Sequence, residues 1–255
     1  MRLLLINPNI SKSVSSLIGD EARRTASPGT DITVVTAPFG VAYIETRFES
    51  LIGAYAVAQL AAEHYPRFDA IVVAAFGDPG LPALREVVPV PMVGMSEAAF
   101  ASACLIGQRF SIIAISSRIT AWYRETVERC GLASRLASIR ALDQPLADIG
   151  SIQTDQAAQL LTLCERAVRE DGADALVIAG APLAGLARQI RNRLPVPAVD
   201  GVSCAVAQAE ALVRLAPRPA SAGSFSPPPL KPHQGLPESI GRLLESRKSL
   251  DDTAR

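Results

Sequence analysis

The sequence predicts an α/β protein of two pseudo-symmetric lobes, each an open parallel sheet flanked by helices. Three observations lead to this prediction. Short, continuous apolar runs recur along the 255 residues, which is typical of strands buried on both faces of a parallel sheet. Helical patterns lie between these runs, so we expect right-handed crossovers between parallel strands. The chain also repeats itself once, with matching segments that begin at Asp69 and Asp174.

The apolar runs predict the strands, and the segments between them predict the helices. We expect strands at 3–6, 31–37, 70–75, 91–95, 111–115, 175–180 and 197–201. We expect helices at 11–26, 50–65, 81–88, 96–107, 119–130, 153–171 and 183–194, and a short one at 236–248. A helix start is also expected near Cys204. The Ala-rich part of the second helix, AYAVAQLAAEHY, is compatible with subunit pairing and equally with packing on a sheet.

The internal repeat relates the two lobes. DAIVVAAFGDPGLPALREVVPVP matches DALVIAGAPLAGLARQIRNRLPVP, and RLLLINPN is echoed more weakly by RFSIIAIS. Each half therefore opens a loop at an equivalent point, and two facing loops would place one chemical group on each side of a substrate. The predicted divisions are an N-terminal lobe of 1–95 with a C-terminal return over 205–250, a second lobe of 96–204, and a Pro/Ser-rich strap at 216–235.

The composition argues against several classes of function. Formal net charge is zero and the sequence has no long basic run, so the clustered cations that nucleic acid binding requires are not expected. No apolar stretch reaches the roughly 18 to 20 residues that span a bilayer, and we expect a strand from Leu3 and no cleavable leader. None of the four cysteines has a metal-binding spacing. We expect a cytoplasmic homo-oligomer that binds a small molecule and no metal, nucleic acid or membrane.

Four loops follow predicted strands and form the candidate site, because ligands of open α/β sheets bind at the carboxyl ends of the strands. Their candidate residues are Asn9 and Ser11 in the first loop, Phe76, Gly77 and Asp78 in the second, Ser116 and Ser117 in the third, and Ala181 and Pro182 in the fourth. Several of these residues have a purely structural alternative. Asn9 and Ser11 can cap the following helix, Ser116 or Ser117 can be an N-cap, and Asp78 can cap the helix after its own loop.

Other ionisable side chains lie outside these four loops. Glu45 lies in AYIETRFES, a polar interruption after the second strand, Glu97 follows VGMS, and Asp200 lies in the last predicted strand. Each can be a solvated or capping acid rather than a catalytic one. Cys204 lies at a helix start, where a thiol pKa can be lowered, although a buried and inert cysteine is the simpler interpretation.

These motifs together resemble the aspartate/glutamate racemase superfamily, most closely its hydantoin and allantoin racemase branch. The resemblance covers nearly the whole chain. It is carried by INPN, AAFGDPGL, RFSIIA, GAPLAGLA, VPAVDGV and GSFSPPP. It implies a two-lobed α/β fold, no cofactor, and two opposed cysteines that act as acid and base.

Both of the cysteines that the resemblance implies are absent. They fall on Ala75 and Gly180, which the internal repeat independently places at equivalent points. The resemblance then leaves a substrate-binding set without thiols: Asn9, Ser11, Phe76, Gly77, Ser116, Ser117, Ala181 and Pro182. Asp78 and Glu45 are the candidate bases by location.

Two hypotheses from different classes follow. The first is a cofactor-independent isomerase with a non-cysteine base, acting at a carbon alpha to a carbonyl of a small hydantoin, ureide or amino-acid-like substrate. A lyase or decarboxylase of the same superfamily is its enzymatic alternative. The second is a non-catalytic small-molecule binding protein that kept the cleft.

Overall fold

Two parallel sheets form the centre of the molecule. The computed structural model describes residues 1–143, 149 and 151–246. Their strands are β1 (Arg2–Asn7), β2 (Asp31–Thr36), β3 (Ala70–Val73), β4 (Met92–Gly94), β5 (Phe110–Ala114), β6 (Leu136–Ala141), β7 (Ala175–Ile178) and β8 (Ala198–Asp200). All pairs are parallel, in the orders β2-β1-β3-β4 and β6-β5-β7-β8. The predicted α/β fold is confirmed.

Helices join the strands and cover them. They are α1 (Lys12–Thr25), α2 (Arg47–His64), α3 (Leu81–Val87), α4 (Met95–Ile106), α5 (Thr120–Arg129), α6 (Ile152–Asp155), α7 (Ala157–Asp171), α8 (Leu186–Ile190), α9 (Gly201–Leu215) and α10 (Glu238–Ser246). The single helix predicted at 153–171 is interrupted at Gln156, whose backbone is not helical (φ −114°, ψ 14°). The last two residues of the helix predicted at 236–248 lie outside the described residues.

Strand β6 was not predicted from the sequence. Its residues LASIRA mix polar and apolar side chains, and every one of them is only partly buried. It is an edge strand that pairs with β5 through a register shift between Phe110 and Ser111. A search for continuous apolar runs finds strands such as β3, β5 and β7, which are wholly buried, and misses an edge strand of this kind.

The strand registers confirm that the two halves repeat. Ile6 of β1 pairs with Val73 of β3, and Ile113 of β5 pairs with Ile178 of β7. The two pairs are therefore equivalent, and β1 and β3 of the first sheet correspond to β5 and β7 of the second.

Helices α4 and α9 pack together and link the two sheets. Helix α4 follows the first sheet but packs on β7 and β8, whereas α9 follows the second sheet and packs on β3, β4 and α1. Helix α10 packs on α2, and the strap at 216–235 contains no helix or strand. The predicted lobe boundaries stay a prediction, and residues 247–250 of the predicted return lie outside the described part of the chain.

The Ala-rich helix α2 packs within the chain. Its Ala56, Val57, Leu60 and Ala61 are buried, and the helix contacts β1. Its N-terminus has a capping box between Thr46 and Glu49. Among the described residues, neither α2 nor any other helix is long and apolar enough to cross a membrane.

Candidate active site

Two small residues occupy equivalent positions after the central strands. Ala75 lies two residues beyond Val73, the last paired residue of β3, and Gly180 lies two residues beyond Ile178 of β7. Ala75 is 7% exposed. Gly180 has φ 111°, a conformation that side-chain-bearing residues rarely adopt. Neither position can hold or release a proton.

We expect a cysteine to be tolerated at position 75 and to cost stability at position 180. A Cβ on Gly180 would meet Pro182 Cδ at 3.6 Å and Ile115 Cδ1 at 3.8 Å, so space is available and the backbone is the obstacle. Gly180→Cys should lower the free energy of unfolding by about 1–2 kcal/mol, and Gly180→Ala by the same amount. Urea denaturation checks this, and wild-type stability in Gly180→Ala would contradict it.

The first loop is organised by Asn7, which the sequence reasoning did not single out. The Asn7 side-chain amide is fully buried and donates to Asn9 Oδ1 (3.1 Å), to the Ser11 carbonyl (3.1 Å) and to Ser15 Oγ (2.9 Å). Ser11 caps α1 by accepting from the Val14 N–H. Asn9 Oδ1 also accepts from the Ser11 N–H (2.9 Å). Asn9 Nδ2 has no acceptor among the described residues, so this amide is the free donor of the loop.

The second loop is fixed from outside by α4 and α5. The Gly77 N–H donates to Ser96 Oγ (2.5 Å), and the Gly77 carbonyl accepts from Arg129 Nη2 (3.3 Å). The Gly77 N–H is therefore already hydrogen-bonded within the protein, and its predicted role in substrate binding stays a prediction. The Phe76 N–H has no acceptor within the described part of the chain.

Asp78 caps a helix, but not the one that follows its loop. Its oxygens accept from the Ser96 N–H (2.8 Å) and the Glu97 N–H (3.0 Å) at the start of α4. The next helix, α3, begins after Gly80 without a side-chain cap. Asp78 is 3% exposed with φ 51°, and its burial raises its pKa to about 7, although both N–H donors oppose that rise.

This buried carboxyl predicts a pH-dependent stability. In the folded state Asp78 holds its proton up to about pH 7, whereas the unfolded carboxyl loses it near pH 3.8. Its stabilising contribution is full below that lower value and is lost as the pH rises through about 7. Asp78→Asn should therefore flatten the fall in unfolding free energy between pH 4 and pH 7. Identical slopes in variant and wild type, measured by urea denaturation, would refute this.

The third loop contains one capping serine and one exposed serine. Ser116 Oγ accepts from the Arg118 N–H (3.3 Å) and so caps a short 3-10 turn. Ser117 is exposed, and its carbonyl accepts from Thr120 Oγ1 (2.8 Å). The Ser117 hydroxyl remains available to a ligand.

The fourth loop is held by Gln153, a residue that no sequence signal indicated. Its Nε2 donates to the carbonyls of Pro182 (2.9 Å) and Ala184 (3.0 Å). Pro182 has no N–H and cannot donate from its backbone, so its predicted place in the substrate-binding set stays a prediction. The Ala181 N–H has no acceptor among the described residues and can serve a ligand.

Glu45 lies close to the third loop. Its Oε2 is 4.0 Å from Arg118 Nε in the third loop, and its side chain is 20% exposed. The segment that carries it is tied to the first loop, because the Ile10 N–H donates to the Val41 carbonyl (3.0 Å). Glu45 is thus the candidate base that lies close to two of the four loops and retains access to solvent.

The remaining candidates are two acids that are bonded within the protein and one cysteine that is buried. Asp200 caps α9 through the N–H groups of Val202 and Ser203, and Glu97 forms an ion pair with Arg85. Burial raises the pKa of Cys204 to about 12, which is the opposite of an activated thiol.

Comparisons with known proteins agree with this architecture. The family model described as Asp/Glu/hydantoin racemase matches residues 3–209. A hydantoin racemase of Paenarthrobacter aurescens is 36% identical, over 89% of this chain and 98% of that protein. A hydantoin racemase of Pseudomonas sp. (strain NS671) is 30% identical over 97% and 100%. The structure of allantoin racemase from Klebsiella pneumoniae has a TM-score of 0.88 and 35% identity, over 94% and 98% of the two chains.

Proposed function

The chain belongs to the Asp/Glu/hydantoin racemase family, and from this we propose that it is a cofactor-independent isomerase with a base other than cysteine. It acts at a carbon alpha to a carbonyl in a small hydantoin, ureide or amino-acid-like substrate. The observation that carries the proposal is the strand register, which puts Ala75 and Gly180 at equivalent ends of β3 and β7. This equivalence supports a site built for proton transfer from two sides, although neither position carries a thiol.

We assign the base to Glu45 in preference to Asp78. A base must come within hydrogen-bonding reach of the proton that it removes. Asp78 is buried, and both of its oxygens already accept hydrogen bonds from backbone N–H groups. Glu45 instead keeps solvent access beside the third loop. Asp78 as the base stays the competing prediction.

The loop donors supply the other half of the chemistry. Removing the alpha proton moves negative charge onto the neighbouring carbonyl oxygen, and preorganised N–H groups stabilise such charge. Asn9 Nδ2 and the N–H groups of Phe76 and Ala181 are the donors free for this task. A single base can return hydrogen to either face of the carbon only if the intermediate rotates in the site, or if solvent delivers a proton to the opposite face.

Hydrogen exchange is therefore the decisive test. Single-enantiomer 5-substituted hydantoins are incubated with the purified protein in deuterated water, and the alpha hydrogen is followed by NMR. We expect exchange above the buffer rate, with or without loss of optical rotation. Exchange at the buffer rate for every hydantoin, ureide and amino acid tried would rule out the isomerase.

The second candidate is a binding protein without catalysis. It is favoured by the loss of an ionisable side chain at both Ala75 and Gly180, since losing one acid–base group already costs about 10²–10⁴ in rate. It predicts saturable hydantoin binding, no exchange, and binding that survives the replacement of Asp78 and Glu45 by alanine. Homo-oligomer formation and a cytoplasmic location stay predictions under either candidate.

A further inference from the structure

Two aromatic donors in the first turn of α5 lie against the second loop. The Trp122 ring covers Gly77 so closely that a Cβ on that glycine would lie 2.1 Å from Trp122 Cζ2. The Tyr123 ring lies 4.7 Å, centroid to centroid, from the ring of Phe76. Trp122 is 7% exposed and Tyr123 is 3% exposed. Both rings therefore pack on the two residues that follow Ala75, and this aromatic group is called the Ala75 wall.

The polar atoms of these two rings have no protein partner. No acceptor among the described residues takes the Trp122 indole N–H or the Tyr123 phenol O–H, although buried polar groups are nearly always hydrogen-bonded. Among the same residues, Glu21 Oε2 is the one fully buried side-chain nitrogen or oxygen atom without a hydrogen-bond partner. The Trp122 N–H and the Tyr123 O–H are therefore not completely enclosed by the protein.

The phenol is also held in its donating form. Burial, and secondarily the negative charge of Asp78, raise the pKa of Tyr123 well above its ordinary value. Both donors thus carry their protons throughout the physiological range. Two protonated, unpaired donors on a rigid apolar wall are suited to an oxygen acceptor.

We infer that Trp122 and Tyr123 are substrate-binding residues, whose N–H and O–H donate to oxygen atoms of a carbonyl compound bound against the Ala75 wall. This inference rests on the proposed function for the kind of ligand, and it adds two side chains to the binding set. It also explains why Gly77 cannot carry a side chain, since the indole ring occupies that space. The alternative role for both rings is packing alone.

Trp122 can report ligand binding by its fluorescence, because it is the single tryptophan of the chain. Titration of the full-length protein with 5-benzylhydantoin should give a saturable change in tryptophan emission. Tyr123→Phe keeps the ring against Phe76 and removes the hydroxyl, and it should raise Kd about tenfold with an unchanged melting temperature. Tyr65→Phe, which removes a phenol that donates to Ser246 instead, is the matched control and should leave Kd unchanged. Calorimetry of Trp122→Phe, which removes the reporter, should give a similar rise in Kd.

The outcomes separate this inference from the proposed function. Emission changes and a Tyr123→Phe effect without hydrogen exchange would support the donors and contradict the isomerase. Hydrogen exchange with a Tyr123→Phe variant of wild-type Kd and KM would support the isomerase and overturn the donors. Absence of both an emission change and a calorimetric heat at millimolar hydantoin would also overturn the inference.

Discussion

Glu45→Gln is expected to slow hydrogen exchange at the alpha carbon of the substrate by about 10²–10⁴-fold, the usual loss when a general base is removed. Glutamine keeps the size of the side chain and its place beside Arg118, but it cannot accept the proton. The partial exposure of Glu45 and its 4.0 Å separation from Arg118 mean that the fold loses little, because exposed ion pairs contribute about 0–1 kcal/mol. The loss should appear in kcat, with little change in Kd.

Two further variants make this result specific. Glu63→Gln, on the exposed surface of α2, changes the same charge away from the loops and should leave exchange at the wild-type rate. Asp78→Asn tests the competing base. If Asp78→Asn abolishes exchange while Glu45→Gln retains it, and both variants fold, the assignment of the base to Glu45 is wrong.

The sequence predicts the central strands, the repeat and the positions of all four loops. Buried strands such as AIVV and ALVI lie between two helical layers and must be apolar throughout, so they leave an unambiguous signal. The sequence does not predict which loop groups are free. The Gly77 N–H was expected to bind substrate, but it donates a hydrogen bond to Ser96 Oγ, 19 positions away in the sequence. Long-range partners of this kind leave no local pattern.

The capping of α4 by Asp78 could not be predicted from the internal repeat. In the second sheet Ile178 pairs with Asp200, and Asp200 caps the helix that it precedes. The equivalent residue in the first sheet is Gly94, which has no side chain to cap α4. Asp78 supplies the missing carboxylate, and a Cβ on Gly94 would lie 2.3 Å from its Cγ. In each half a carboxylate thus caps the helix that follows the last strand, but the two carboxylates come from different points in the repeat.

Glu21→Ala is expected to produce the largest loss of stability, about 2–3 kcal/mol. Glu21 on α1 is 2% exposed, and its Oε1 accepts from Arg188 Nη2 (2.6 Å) on α8 and from Ser203 Oγ (2.7 Å) on α9. Breaking a fully buried ion pair costs about 3–5 kcal/mol. The Arg188 side chain is 41% exposed and regains water when its partner is lost, so the expected loss lies below that range.

The neighbouring residue supplies the matched control for this variant. Asp20 is 69% exposed and lies 3.6 Å from Arg23, and Asp20→Ala should change the unfolding free energy by less than about 0.5 kcal/mol. Urea denaturation of both variants measures these changes in unfolding free energy. Equal stabilities would mean that the polar contact from α1 to α8 and α9 contributes nothing measurable. A loss confined to Glu21→Ala would show that this buried carboxylate stabilises the packing of α1 on α8 and α9.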